Sequence, residues 1–309
     1  MKIFFVLPVF NDHVSLARLI QDLRNILHQA TLQFIIVDDA STNKLNTLAD
    51  MRGIHYIKLK SNKGNQKAIF IGMNYLNELN VEYDYLIVMD SDGEDRPQDV
   101  PRLIEKSKEQ NNEHIIFASR LKRNEGLVYK FFYYFYKLVF KLLTGQKLNF
   151  GNFSCIPKKF LKNILDLQTI SIHYSASILK SKISYSTISF NKGKRYDGIT
   201  QTNITSIIIH ALKSLSIYYE EILVKFLILS AIGSMLGMLS IIFIFFNKLF
   251  SSFVLIGWSS NMILGLSIIT FMFLSMFFAC LLILLNKNPY NQSLDNNKNY
   301  RSFIDKIEN

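Results

Sequence analysis

The chain is poor in cysteine, proline and tryptophan: its 309 residues hold two cysteines, five prolines and one tryptophan. Cys155 and Cys280 are too few and too distant in sequence for a disulfide framework or a cysteine-rich zinc site, and such sparse usage fits a reducing compartment. No G-x-G-x-x-G and no G-x-x-x-x-G-K-[ST] stretch occurs, so a dinucleotide cofactor and P-loop nucleotide hydrolysis have no support. A secretory leader is also not expected. Lys2 precedes only a short apolar run, which Pro8 and Asn11 interrupt, and no small-residue cleavage site follows. Acidic residues are the scarcer sign, 24 against 35 basic, for a net charge of +11. A basic excess suits nucleic acid, a membrane surface or an anionic substrate.

Two uncharged runs decide for the membrane and against nucleic acid. Phe226–Phe246 (FLILSAIGSMLGMLSIIFIFF) and Ile263–Leu285 (ILGLSIITFMFLSMFFACLLILL) each reach the roughly 20 apolar residues a spanning helix needs. Lys213 and Lys225 precede the pair, and Lys287, Lys298, Arg301 and Lys306 follow it. The connector Asn247–Asn261 has only Lys248, with Trp258 near its end. The positive-inside rule then puts both termini in the cytoplasm, as for an integral protein of a cytoplasmic or inner membrane. Neither span has an internal charge to line an ion path, which excludes a single-chain transporter or channel. Gly233 and Gly237 form a G-x-x-x-G pair through which the hairpins of a homo-oligomer could pack.

Before the spans, strand-length apolar runs at Lys2–Leu7, Phe34–Val37, Ile54–Leu59, Tyr85–Met89 and Ile115–Ala118 alternate with helix-period segments. Leu16, Leu19, Ile20, Leu23, Ile26 and Leu27 repeat at helical spacing behind Asn11 or Asp12 as the cap, and Ala68, Ile71, Gly72, Tyr75, Leu76 and Leu79 do so after Gly64. Val100–Gln110 is a further helix. Such alternation predicts an α/β protein, with a mostly parallel sheet and helices on both faces. Gly126–Gly145 is helical in length and strongly aromatic, with Lys130, Lys137 and Lys141 near one face, as in a helix lying in a membrane interface. Asn203–Tyr219 is a second such segment. The expected organisation is a domain over 1–220 resting on the membrane, two spans within 221–289, and a polar cytoplasmic tail over 290–309.

The most informative stretch is Tyr85–Asp95, a buried-strand pattern that ends in Asp90, Asp92, Glu94 and Asp95. Carboxylates this crowded raise one another's pKa unless a cation sits among them, and Mg²⁺ or Mn²⁺ completed by substrate phosphates is the natural resident. Other strand ends are also polar: Leu7-Pro8-Val9-Phe10-Asn11-Asp12, Val37-Asp38-Asp39-Ala40-Ser41-Thr42, and the loop Asn62-Lys63-Gly64-Asn65-Gln66-Lys67-Ala68.

In this order and spacing, P-V-F-N-D, V-D-D-x-S, N-x-G-x-x-x-A and D-x-D resemble the family 2 glycosyltransferases of GT-A fold, a Rossmann-like architecture. The membrane-attached branch, with its dolichyl-phosphate mannose synthase-like and polyprenyl-phosphate enzymes, adds two C-terminal spans. Asp95-Arg96-Pro97 is similar to the family's segment after D-x-D, and Lys192–Gly198 (KGKRYDG) to its R-x-x-G motif. The resemblance implies a nucleotide-diphospho-sugar donor bound by Pro8, Asn11, Asp38, Asp39, Gly64, Lys67, Asp90 and Ser91. It implies Mg²⁺ or Mn²⁺ on Asp90, Asp92 and Glu94, and catalytic roles for Asp92, Asp95, Arg120 and Arg195, with Arg123 assisting. The two arginines would hold diphosphate or acceptor phosphate, a task for which the guanidinium fork is suited. Asp95, or less directly Asp197, would serve as base for a hydroxyl acceptor.

The acceptor implied is a polyprenyl phosphate, with membrane lipids as further partners. One departure stands out: polyprenyl-phosphate members commonly carry G-[DS]-F-R-L where this chain has Gly151-Asn152-Phe153-Ser154-Cys155. Two other readings stay open: transfer to a hydroxyl of a lipid-linked saccharide or surface glycan, and a silent nucleotide-sugar-binding membrane scaffold. His173 is read as a helix cap or packing residue.

Overall fold

The computed structural model describes residues 1–42, 52–120, 127–197, 204–250, 257–285 and 300–308. Arg123, Lys287 and Lys298 lie outside these, as do the side chains of Arg120, Lys130 and Trp258. The chain divides into two compact units. The first comprises residues 1–140, 146–217 and 290–309, and the second 141–145 and 218–289.

The first unit is built on an eight-stranded sheet. In chain order its strands are β1 (Lys2–Val9), β2 (Thr31–Asp38), β3 (Ile54–Leu59), β4 (Tyr85–Val88), β5 (Ile115–Arg120), β6 (Phe150–Pro157), β7 (Tyr185–Phe190) and β8 (Ile304–Glu308). They lie in the order β7-β5-β6-β4-β1-β2-β3-β8. Pairing is parallel except where β6 runs against β4 and β5, and where β8 runs against β3. The five strands read from the sequence are all present. β6 and β7 were not foreseen, and neither was β8: within the polar tail expected over 290–309, residues 300–308 form an edge strand and its lead-in.

Central strands here carry no polar alternation because helices cover both faces, as parallel sheets require. β1 is buried along seven of its eight residues. One face packs Ile3, Phe5, Leu7 and Val9 against helices α1 (His13–Ile26) and α3 (Val100–Glu109). Leu16, Leu19, Ile20 and Leu23 of α1 fall on that face at helical spacing and are fully buried. Each such burial stabilises by about 1.5–3 kcal/mol. The other face meets α2 (Asn65–Leu79) so closely that a Cβ on Gly72 would sit 2.8 Å from Val6 Cγ1 and 3.1 Å from Val37 Cγ2. Asp12 occupies the N-cap position of α1 but makes no side-chain capping bond, so the cap expected at Asn11 or Asp12 is not formed.

After β5 come α4 (Leu127–Thr144), then β6, short α5 (Leu161–Leu165), α6 (Tyr174–Ser181), β7 and α7 (Ile204–Ser216). Within the first unit Tyr136 of α4 bonds Ser214 of α7 (2.6 Å). Both helices leave apolar groups bare: Tyr134, Phe135 and Leu138 on α4, and Ile208, Ile209 and Leu212 on α7.

The second unit is the pair α8 (Tyr219–Phe250) and α9 (Trp258–Leu285), two helices long and apolar enough to cross a membrane. Only 17% and 11% of their most apolar windows are buried, whereas a core helix would be mostly enclosed. The glycine pair is spent within this hairpin. A Cβ on Gly233 would lie 2.8 Å from the Phe273 ring, and one on Gly237 would overlap Thr270 Oγ1. The face expected to pack between subunits therefore meets the chain's own α9.

Candidate active site

β1 leads outward to β2 and β3, and the chain then crosses back to lay β4 on the other side of β1. The strand order reverses between β1 and β4, and the crevice outside the carboxyl ends at such a switch point is where open α/β sheets bind ligands. Pro8, Asn11, Asp38, Asp39 and the acid cluster all arise at these ends.

Asp38 and Asp39, adjacent in sequence, face different partners. Asp38, 1% exposed, accepts the Ser41 N–H (2.8 Å) on one oxygen and the Tyr56 hydroxyl on the other. Burial and that bond both push the Tyr56 pKa up, which keeps it a donor. Asp38 thus braces the β2 end. Asp39 accepts the Lys63 (2.6 Å) and Gly64 (2.7 Å) amides. Burial raises its pKa against the pull of those two amides. It ties the start of α2 to the end of β2. Gly64 at φ +85° supplies the left-handed turn that aims these amides at Asp39. Asn11, itself at φ +52°, donates its amide to Ser41 Oγ (2.8 Å) and accepts from the Thr42 amide (2.9 Å). It buttons the β1 loop to the β2 loop.

The acid loop is braced from below. Ser91 donates to the Pro8 carbonyl (2.9 Å), and Asp95, 7% exposed, accepts the Asp90 amide (3.0 Å). Asp95 thereby supports the loop. Asp90 accepts from Asn65 Nδ2 (2.8 Å). Asp92 accepts the Glu94 amide (2.9 Å) and lies 3.1 Å from Arg195 Nη2. Burial first, then the Asp90 charge, push its pKa up to about 6, against the opposing pull of the Glu94 amide and Arg195.

Glu94 pairs with Lys192 (2.8 Å). Among the described residues no three acidic, histidine or cysteine groups come together to hold an ion, so the Asp90–Asp92–Glu94 trio is not formed. Two carboxylates, Asp90 and Asp92, are what the site offers. That number suits a Mg²⁺-type ion completed by substrate phosphates.

The segment Lys192–Tyr196 lies across the acid loop. Gly193 donates its amide to the Glu94 carbonyl (2.9 Å) and Tyr196 to that of Asp92 (2.9 Å). The contact is close enough that a Cβ on Gly93 (φ +85°) would come 2.5 Å from the Tyr196 ring. Tyr196 in turn donates to Asp22 of α1 and stacks under Arg18 (4.6 Å), while Asp12 sits 3.9 Å from Arg195. Sequence reasoning marked Arg195 but missed this clamp of Arg18, Asp22 and Tyr196, because Tyr196 lies 174 residues from Asp22. Tyr56 was missed too: its strand pattern reads as core.

Lys67 sits over the rings of Phe70 (4.9 Å) and Phe303 (4.6 Å). Arg120 closes β5 opposite Phe190. At Ser154, where the resemblance expects arginine, the hydroxyl is fully buried against Tyr174 OH (2.7 Å) and the Asn152 carbonyl (2.9 Å). His173 caps α6, accepting the Ala176 amide (3.4 Å) on Nδ1.

The sheet order and this site define a GT-A architecture. By fold the chain resembles glucosyl-3-phosphoglycerate synthase from Mycobacterium tuberculosis, solved with Mn²⁺, UDP-glucose and phosphoglyceric acid (TM-score 0.51, 10% identity, 72% of this chain and 79% of that one). It also resembles mannosyl-3-phosphoglycerate synthase from Rubrobacter xylanophilus (TM-score 0.51, 14% identity, 70% and 72%). The model of the glycosyl transferase family 2 matches residues 4–166, more than half of the chain, and the chain belongs to that family. Similar curated proteins include the undecaprenyl-phosphate 4-deoxy-4-formamido-L-arabinose transferases of Photorhabdus laumondii (27% identity over 173 residues, 53% of this chain) and Klebsiella pneumoniae strain 342 (26% over 175 residues, 53%). The chain spans about half the length of these curated relatives, 50% in each case.

Proposed function

We propose that this protein is a membrane-bound, metal-dependent, inverting glycosyltransferase that moves a sugar from a nucleotide-diphospho-sugar to a polyprenyl phosphate of undecaprenyl type at the cytoplasmic face. The observation that carries this is Asp92: a carboxylate at the end of β4, its pKa raised by burial and by Asp90, beside Arg195 at 3.1 Å. Two neighbouring carboxylates at a strand end, one of them beside a guanidinium, suit a cation shared with a diphosphate.

Asp90 and Asp92 would hold Mg²⁺ or Mn²⁺, which supplies charge neutralisation for the departing nucleoside diphosphate. Arg195 adds a second positive group aimed at the same region, and the Tyr196–Asp22 bond holds its segment in place. Asp39 and Asn11 keep the loops around the donor in register. A phosphate acceptor, with a second pKa near 6, is already largely ionised at neutral pH and needs no base. That agrees with Asp95 being enclosed as a brace. The names of the similar curated proteins also support a lipid-phosphate acceptor.

The membrane reading rests on the bare apolar surfaces of α8 and α9 and on those of α4 and α7. The return of β8 to the sheet of β1 supports an even number of crossings. One observation favours the hydroxyl alternative: Ser154 and Tyr174 form a closed neutral pair where a phosphate-binding arginine is expected.

The test incubates purified protein with radiolabelled UDP-, GDP- and dTDP-sugars and undecaprenyl phosphate, with Mn²⁺ or with EDTA. Label should enter the organic phase only with metal, and Asp92→Ala should cut turnover about a hundredfold or more while leaving the protein folded. Label found only on saccharide hydroxyls would select the alternative acceptor. An active Asp92→Ala enzyme would refute the metal role.

A further inference from the structure

Residues 300–308, which come after the second apolar helix in sequence, are built onto β3 and the loop between β3 and α2. β8 pairs with β3 through Glu308–Tyr56, Ile307–Ile57, Lys306–Lys58 and Ile304–Leu59. Just before it, the Lys60 amide donates to the Phe303 carbonyl (3.0 Å) and Lys60 Nζ to the Ser302 carbonyl (3.0 Å). Tyr300 is 2% exposed, and Arg301 sends both Nε (2.9 Å) and Nη2 (2.6 Å) to Glu78 on α2. The Phe303 ring lies 4.6 Å from Lys67 Nζ and 5.7 Å from Lys63 Nζ.

The inner side of the same loop faces the candidate site. Lys63 and Gly64 give their amides to Asp39, and the next residue, Asn65, bonds Asp90. Eight residues, 60–67, thus have the acids of the site on one side and the C-terminal segment on the other. Lys67, between the Phe70 and Phe303 faces, has its pKa lowered by burial first and then by the Lys63 charge. An ammonium in that state is short of hydration and gains from a phosphate partner.

We propose that residues 300–308 form the outer wall of the donor site, with Phe303 and Arg301 as positioning residues that hold Lys63, Lys67 and the Asp39-bound amides ready for the nucleoside diphosphate. This rests on the transferase reading above and extends it, because the donor site then includes chain from beyond both apolar helices. The ring acts through its face toward the two lysines, so its aromatic character matters beyond its size.

The full-length protein in detergent is titrated with UDP, GDP, dTDP and CDP in the presence of Mn²⁺, and the tightest binder becomes the probe. Phe303→Leu, which keeps bulk but loses the ring face, should weaken that binding about fivefold or more, while Phe303→Trp should keep it. In turnover assays Phe303→Leu should raise the donor KM and leave kcat unchanged. Arg301→Glu, which sets like charges together, should weaken binding, and Arg301→Glu with Glu78→Arg should restore it. Melting temperatures of the variants check that the fold survives. Wild-type affinity in both Phe303→Leu and Arg301→Glu would overturn this inference and leave the transferase reading standing. A wild-type protein that binds none of the four nucleotides would overturn both.

Discussion

Asp92 and Asp38 show how little a residue's type says about its use. Both are aspartates at strand ends, and both were legible as site candidates. Asp38 turned out to be enclosed by Ser41 and Tyr56, 18 residues along the chain, whereas Asp92 keeps a raised pKa beside Arg195. What separates them is which partners the tertiary fold brings near, and Tyr56 carries no sequence mark of that role. His173 was read as a helix cap, and it is one. Its burial first, and then the neighbouring His210, push its pKa down to about 3, from an ordinary value near 6.5. The unfolded chain therefore takes up a proton below pH 6.5 that the folded chain refuses. Stability is fully present above that pH and falls as pH drops toward 3, by about 2 kcal/mol at pH 5 from this group alone. His173→Asn keeps a side-chain acceptor at the cap but removes the titration. In urea denaturation the stability gap between wild type and variant should close by about 2 kcal/mol from pH 7.5 to pH 5. An unchanged gap would mean that His173 titrates normally.

Elements were legible where their period was clean and local. β1 to β5 each hold a short, mainly apolar run bounded by polar residues, so burial of the sheet wrote itself into composition. β6 was not, because Phe150–Pro157 reads FGNFSCIP, a mixed string with a glycine and an asparagine. It becomes a strand because β4 and β5 offer it two ladders to complete. The spans were read from length and charge, but their packing was not. Gly233 and Gly237 suit a partner helix, and sequence cannot say whose. The fold supplies α9, with Phe273 and Thr270 filling the two gaps. Thr270 is β-branched and bonds the Leu266 carbonyl, so it has little freedom to retreat. Gly237→Val should therefore destabilise the hairpin by about 1–3 kcal/mol, the usual cost of overpacking. Thermal-shift size-exclusion profiles in detergent should show a lower melting point, and a Gly265→Val control, where a Cβ meets nothing within 4 Å, should not.

At the scale of the whole molecule, the chain leaves its sheet, runs through two apolar helices and returns to the same sheet as β8. A strand can join that sheet only from the side of the membrane on which the sheet lies. If both helices span, the two chain ends share a compartment, as the flanking lysines and arginines also predict. Green fluorescent protein fused after Asn309 should fluoresce in cells, and alkaline phosphatase at the same point should be inactive. Active phosphatase there would remove the two-span topology and leave β8 unable to pair with β3.

Much of this protein is written in local pattern. The alternation of strands and helices, the carboxylates at strand ends, the two uncharged runs and the basic flanks each follow from neighbours a few residues apart, and each is a matter of solvent preference or backbone period. Other features depend on contacts between segments that sequence keeps far apart. Among these are the enclosure of Asp38, the pairing of Glu94 with Lys192, the clamp of Tyr196 on Asp22, and the placing of Phe303 over Lys67. Only the folded sheet selects those partners, because hydrogen bonds and ion pairs act over a few ångströms and carry no trace along the chain.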